Sequence, residues 1–402
     1  MVHHTMNSSS ARAAKASSRI TSIRFFSLQA LAILGVLLAG CATQLSPPPA
    51  EIVPPVLKTP SAPEAPRKQV LRENARWVQA DWRDLPGWSD SDNRAAELWP
   101  VLLRSCTRPA PGWSLLCAQA ALQAPADDTQ AMLWLMQRLR PWRLESLDGE
   151  ATGLATGYFE PQLEGRRQAG GAYQVPVLAA PADLAARRFT RQQIATDQAA
   201  RFKAIAYVAD PIELLVMQIQ GSGRLRVMEA DGRTRLVRLA FAGHNDQPYQ
   251  SIGKLLQDRG ELRDASWPGI REWLGKQNPL RLNEVLWANP RYVFFREEPL
   301  PDTDLGPRGG QGVPLTPGRS VAVDKAAVPF GTPMWLDSTQ PRSDAPLRRL
   351  VMAQDTGSAI TGAVRVDYFW GWGLEAEEQA GKMKQSLRAW ALWPANAEPS
   401  TR

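Results

Sequence analysis

The run SVAVDKAAVPFGTPMWL at 320–336, followed by RLVMAQDTGSAITGAVRVDYFWGWG at 349–373, decides how the rest of the chain is read. Apolar stretches at 320–323, 332–336, 350–353 and 364–369 are strand-like, rich in Val and aromatic residues and bounded by Gly or Pro. Asp324, Asp355 and Asp367 each stand at the end of such a stretch, with Gly331, Gly357 and Gly362 as turn residues beside them. Carboxylates at strand ends next to glycine turns are well placed to face one cleft. A carboxyl desolvated by Tyr368, Phe369 and Trp370 would have its pKa raised and keep its proton near neutrality, as a general acid must. The same aspartates can instead cap turns through backbone N–H groups, and spacing alone favours that plainer role.

Upstream, the pattern predicts strands at 173–178, 214–220, 225–227, 234–241 and 292–296, with short helices at 252–256 and 265–274. From about Val70 to Arg143 it is largely helical. Trp99, Leu102 and Leu103, then Leu115, Ala118 and Leu122, then Met132, Leu135, Met136 and Leu139 recur at three- and four-residue spacings. Helices first and many short strands afterwards point to β-barrels rather than a parallel sheet. The GSG of MQIQGSGRL (217–225) is no phosphate loop, since no Lys-Ser/Thr follows it and no helix is expected there. His244, in AGHND, reads as a structural or groove-edge residue rather than a base.

At the N-terminus Arg12, Lys15, Arg19 and Arg24 precede an apolar run over 25–38, which ends Leu38-Ala39-Gly40-Cys41. Charged, apolar and small residues in that order make a secretory signal, and the run is short for a membrane span. The final four residues resemble a bacterial lipobox, with Cys41 as lipid acceptor. Ala42 in place of an Asp favours, by resemblance to Gram-negative lipoproteins, the outer membrane. Eight prolines between 47 and 66 make the next stretch an extended tether.

The 402-residue chain has a net charge of +7, but the four basic residues of 1–40 leave only +3 for the rest. A basic surface for nucleic acid is therefore not indicated. His3, His4 and His244 are the only histidines, and two of them lie in the signal, so a triad or a histidine-based metal centre would depend on His244 alone. No metal site and no cofactor are expected. Cys106 and Cys117 admit a disulfide in an oxidising compartment and equally two buried thiols.

The aspartate-bearing run resembles the three-aspartate module of the membrane-bound lytic murein transglycosylase A family, glycoside hydrolase family 102. TGYFEPQLEG (156–165), MQIQGSGRL (217–225), FAGHNDQPYQSIGKLLQDRGE (241–261) and NPRYVFF (289–295) resemble the same family in the same order. LRSC…GWSLLC (103–117) is similar to its helical lead-in, and the similarity covers roughly 85–394. Ser358 departs from the family's usual second Gly in the module.

The resemblance implies a mainly β fold with N-terminal helices. A double-psi β-barrel carries a second, inserted small β-barrel, with a groove between them. The boundaries it implies are a lipoprotein signal peptide (1–40), the tether (41–67), a helical lead-in belonging to the first barrel (68–159), the inserted barrel (160–298) and the double-psi barrel with the three-aspartate module (299–394). It implies a lytic transglycosylase of peptidoglycan, with Asp367 as the single catalytic acid and base and Asp355 and Asp324 in support. The β-1,4 bond between N-acetylmuramic acid and N-acetylglucosamine would be cut with formation of 1,6-anhydromuramoyl ends. Tyr158, Gln218, Gln220, Gly221, Ser222 and Gly223 are candidate glycan contacts. The expected partners are glycan strands, the outer membrane through lipid on Cys41, and proteins of wall synthesis, with the protein on the periplasmic face of that membrane. A non-catalytic glycan-binding lipoprotein and a hydrolase pairing Asp355 with Asp367 are the competing readings.

Overall fold

The computed structural model describes residues 67–90, 93–183 and 188–399. The signal, Cys41 and nearly all of the tether therefore lie outside the described residues. The chain enters through a hairpin, β1 (Gln69–Arg72) and β2 (Ala75–Gln79). Three helices follow, α1 (Trp99–Ser105), α2 (Ser114–Leu122) and α3 (Asp128–Arg138). The expectation of a largely helical lead-in is thus corrected at both ends, because β3 (Leu139–Glu145) is also a strand and pairs with β2. Its inward residues pack into a sheet that only the distant C-terminal segment completes. The α2 stripe also faces outward: Leu116 and Ala120 are buried, while Leu115 and Leu122 are exposed.

The first barrel is a closed ring of six strands. They are β4 (Gly153–Glu160), β11 (Ser320–Val323), β12 (Pro333–Thr339), β13 (Pro346–Asp355), β14 (Arg365–Trp372) and β15 (Lys384–Pro394). Pairing runs β15–β12–β13–β11–β14–β4, and β4 pairs back onto β15 to shut the ring. β11–β13 and β14–β4 are parallel and the other pairs antiparallel. The β1–β2–β3 ladder extends outward from β15. Helix α9 (Gly373–Lys382) joins β14 to β15. Trp77, Trp335, Trp390 and Trp393 belong to this barrel's core. Nine of the 15 tryptophans are buried, so the tryptophan content is chiefly core rather than sugar-stacking surface.

Between β4 and β11 the chain builds a second sheet. It comprises β5 (Gln162–Arg166), β6 (Val175–Leu178), β7 (Ala204–Val208), β8 (Gly223–Met228), β9 (Thr234–His244) and β10 (Val293–Pro299), ordered β10–β9–β8–β5–β7–β6. A bridge between Ala179 and Phe295 brings its two edges together, so this sheet too is nearly a barrel. Helix α4 (Arg191–Ala195) and helix α5 (Pro211–Gln220) lie within it, and α6 (Ile252–Asp258), α7 (Trp267–Gly275) and α8 (Pro279–Trp287) pack with α5 in their own apolar cluster.

The strand expected over 214–220 is α5, a helix. Asp210 caps it by accepting from the Ile212 N–H at 2.7 Å, Pro211 fills its first turn, and Gly221 closes it at φ +85°. Those start and stop residues decide the conformation, whereas a short apolar run alone does not separate buried helix from buried strand. Among the described residues no helix is long and apolar enough to cross a membrane.

At the crossing between the barrels Glu160, fully buried, accepts from Arg224 Nε and Arg238 Nε, each at 2.8 Å. Arg224 also donates to the Thr303 and Leu305 carbonyls at 2.8 and 3.1 Å, and its guanidinium lies 3.7 Å from the Trp372 ring centroid. The segments entering and leaving the second barrel are thereby tied to one carboxylate.

Candidate active site

Alternation along β14 sorts its side chains. Val366 and Tyr368 go into the barrel core, while Arg365 and Asp367 stand half-buried on the opposite face. Ala322 of β11 is in register with both Asp367 of β14 and Asp355 of β13. The two aspartates therefore flank one strand, their backbones roughly 10 Å apart from the usual strand spacing. On the other side of β14, Thr156 of β4 is in register with Asp367. Gly157 follows because a Cβ there would lie 2.6 Å from the Trp370 indole nitrogen.

The two carboxyls differ in how they are held. Asp355 Oδ1 accepts from the N–H groups of Gly310 and Thr356, each at 2.8 Å, and Oδ2 accepts from the Tyr158 hydroxyl at 2.9 Å. Asp367 Oδ1 accepts from the Thr156 hydroxyl at 2.6 Å. Its Oδ2 has no hydrogen-bond partner among the described residues. Both groups retain some solvent contact yet are enclosed by protein on most sides, so desolvation dominates.

Burial pushes the Asp367 carboxyl up to about 6. The Thr156 hydroxyl and the Arg365 guanidinium pull against that rise, and the Asp355 charge adds to it. Burial also raises Asp355, opposed by its donors Thr356, Tyr158 and Gly310. Tyr158 is held well above its ordinary value by burial and by Asp355, and so remains a hydroxyl donor.

Among the described residues none of the other expected ones hydrogen-bonds to Asp355 or Asp367. Asp324 accepts from Asn74 Nδ2 and from the N–H groups of Gly362 and Ala326. Burial would raise its pKa, but those donors, Gly362 first, bring it below the ordinary value. It braces the turn around Gly362. Gln218 is buried in the second barrel, accepting from Arg191 Nη1 at 2.6 Å and donating to the Val293 carbonyl at 3.2 Å. Gln220 accepts the Phe159 N–H at 3.0 Å and so steadies β4 beside Tyr158. Gly221 is the α5 cap, Ser222 is buried, and Gly223 lies against Met217.

Arg291, just ahead of β10, donates to Ser358 Oγ at 3.0 Å, beside the Asp355 turn. His244 Nδ1 accepts the Asp246 N–H at 3.0 Å. Cys106 and Cys117 form a disulfide, the first of the two readings the sequence admits. Among the described residues no group of three His, Cys, Asp or Glu is gathered to hold a metal ion.

Sequence reasoning missed Thr156, Arg365 and Gly310. The first two were within reach: Thr156 is two residues before Tyr158, and Arg365 two before Asp367, each on its neighbour's strand face. Gly310 has no local signal, because a tertiary contact alone brings it to Asp355.

Fold and site define the class: an all-but-closed pair of β-sheets in one body, with two half-buried aspartates flanking β11 of the first. Residues 154–296 match the MltA specific insert domain and residues 319–393 the 3D domain. The membrane-bound lytic murein transglycosylase A of Vibrio cholerae is 32% identical over 308 residues, covering 70% of this chain and 81% of the relative. The chain belongs to the membrane-bound lytic murein transglycosylase A family. Among solved structures, MltA from Neisseria gonorrhoeae superposes with a TM-score of 0.71 at 33% identity, covering 85% of this chain and 98% of that one. Escherichia coli MltA with bound chitohexaose does so with a TM-score of 0.64 at 25% identity, covering 83% and 100%.

Proposed function

We propose that the protein is a lytic transglycosylase of peptidoglycan in which Asp367 acts first as acid and then as base. The asymmetry of the two carboxyls carries this reading. Asp355 has both oxygens occupied by donors, whereas Asp367 has one free oxygen and a pKa near 6. Such a pair suits one working carboxyl and one fixed charge better than the two working carboxyls of a hydrolase.

Protonated Asp367 Oδ2 donates to the glycosidic oxygen between N-acetylmuramic acid and N-acetylglucosamine, and the bond from that oxygen to C1 of the muramoyl sugar breaks. Positive charge develops at C1. The Asp367 carboxylate, supported by the Thr156 hydroxyl and the Arg365 charge, then takes the proton of the same sugar's C6 hydroxyl, and O6 bonds to C1. Asp367 is again protonated, a 1,6-anhydromuramoyl end has formed, and no water is consumed. The intramolecular hydroxyl already stands beside C1, which supplies the advantage of proximity without a second enzyme group. The Escherichia coli relative solved with chitohexaose supports a β-1,4 glycan as ligand.

In the same reading residues 1–40 are a signal, Cys41 carries lipid, 41–67 tether the body at the periplasmic face of the outer membrane, and 160–298 form the inserted domain. The membrane-bound naming of the relatives supports an anchored protein. Intact-mass analysis of protein purified from membranes reads the lipid on Cys41 directly.

The deciding experiment incubates the purified protein and its Asp367→Asn variant with sacculi and weighs the released muropeptides. Products one water lighter than hydrolytic fragments are expected from the wild type and not from the variant. Hydrolytic products would overturn the proposal in favour of the paired-carboxylate hydrolase. Binding without any products would leave a glycan-binding lipoprotein.

A further inference from the structure

We propose that Gln311 is a positioning residue for the active-site carboxylate Asp355, and that the Cys106–Cys117 disulfide fixes the anchor to which Gln311 is tied. The inference rests on the functional reading above. It starts from the Gly310 N–H, which meets Asp355 Oδ1 at 2.8 Å.

Gly310 lies in a turn that also contains Gly309 and Gly312, the last at φ +82°. Three glycines in four residues give a segment with large conformational entropy, so this donor stays in place only if something else holds the turn. Gln311 does so from both its backbone and its side chain. Its N–H donates to the Gln354 carbonyl at 2.9 Å, one residue before Asp355. Its amide Nε2 donates to the carbonyls of Ser105 at 3.2 Å and Arg108 at 3.0 Å, and its Oε1 accepts from Ser105 Oγ at 3.1 Å.

Ser105 Oγ in turn accepts from Gln354 Nε2 at 2.7 Å, and Gln354 Oε1 accepts from Ser320 Oγ at 2.5 Å. The circuit Gln311–Ser105–Gln354 is closed and buried, with Gln354 at 0% exposure. A satisfied polar network in such surroundings is rigid, and breaking one member leaves the others unpaired. Gly331 makes room for it, since a Cβ there would lie 3.0 Å from Gln311 Nε2.

The two carbonyls that Gln311 grips, Ser105 and Arg108, lie on either side of Cys106, where α1 ends. A helix end followed by an irregular loop is free to fray. The disulfide joins Cys106 to Cys117 of α2, with Cα atoms 5.4 Å apart, and holds that corner. A continuous path therefore runs from the disulfide through Ser105 and Arg108, Gln311 and Gly310 to Asp355. The groups that face Asp355 are Tyr158 from β4, Asp367 from β14, with Arg365 beside it, and the N–H groups of Gly310 and Thr356.

The test compares the oxidised full-length protein with Gln311→Leu, the Cys106→Ser/Cys117→Ser pair and their combination. It measures kcat and KM on sacculi, and follows Asp355 by 13C carboxyl titration. Gln311→Leu is expected to lower kcat about tenfold or more with KM within about twofold. Asp355 should titrate at higher pH, because a donor favouring its charged form is lost. The combined variant should be no worse than Gln311→Leu alone, since both act along one path. Wild-type kcat and Asp355 titration in Gln311→Leu, or full additivity with the cysteine pair, would overturn the inference. Should Gln311→Leu fail to fold by circular dichroism, Ser105→Ala and thiol reduction of folded wild type make the same comparison. If the wild type yields no anhydro products the functional reading fails, while the carboxyl titration still decides the role of Gln311.

Discussion

At the residue scale two like groups are held unequally. Asp355 is surrounded by donors, and Asp367 is left with one. The elevated pKa of Asp367 has a thermodynamic consequence with a definite sign. Below the ordinary carboxylate value near 3.8 the group is protonated in folded and unfolded chains alike, and burial costs no charge. Between that value and about 6 the unfolded chain ionises while the folded protein resists, so stability falls as pH rises. Above about 6 the cost is constant. Asp367→Asn should therefore be more stable than wild type at pH 7.5 by on the order of 1–2 kcal/mol, the shift being discounted for partial exposure. At pH 3.5 the two should melt alike, and a pH-independent difference in melting temperature would contradict the assigned cause. Strand ends beside glycine turns bring Asp367 forward as a candidate, but spacing alone favours a turn-capping role and the family resemblance singles it out. Gly310 was not legible, since nothing within its own turn points at residue 355.

The elements show where a local pattern is sufficient. α1, α3, α6 and α7 follow from three- and four-residue spacing, yet α2 is a helix whose regular stripe faces solvent. Its buried side, Leu116 and Ala120, is set by the tryptophan-rich core beneath it. α5 was misread because its apolar run was weighed more heavily than the Asp210-Pro211 start and the Gly221 stop. Gly221 has open space around a would-be Cβ, so only its left-handed backbone opposes substitution. Gly221→Ala should cost about 1 kcal/mol in chemical denaturation. Because Gln220 steadies β4 beside Tyr158 from the last turn of α5, kcat should fall with it. A neutral effect on both would show that the cap is dispensable.

For the whole molecule, two barrels on one chain need a joint that does not drift, and the buried Glu160–Arg224–Arg238 cluster supplies it. Removing the carboxylate leaves two guanidinium groups buried without their counter-charge. Glu160→Gln is expected to lose about 3–5 kcal/mol of stability, read as a lower midpoint in guanidinium chloride. A loss under 1 kcal/mol would mean that the Thr303 and Leu305 carbonyls and the Trp372 ring suffice. This architecture came from the family resemblance and not from texture. Runs of Val and Gly announce strands, but nothing local says that β4 pairs with both β14 and β15, more than 200 residues later.

That last pairing sets an order in time. Thr156 and Asp367 are 211 residues apart along the chain, and β15, which shuts the ring on β4, emerges after every other strand among the described residues. The second barrel can gather its local contacts early, whereas β4 must wait with its edge unpaired, a slow and aggregation-prone interval for a fold of long-range pairings. A half-made chain thus carries every residue of TGYFEP and neither Asp355 nor Asp367. The face that brings Thr156 beside Asp367 exists only after the C-terminal strands have joined the ring.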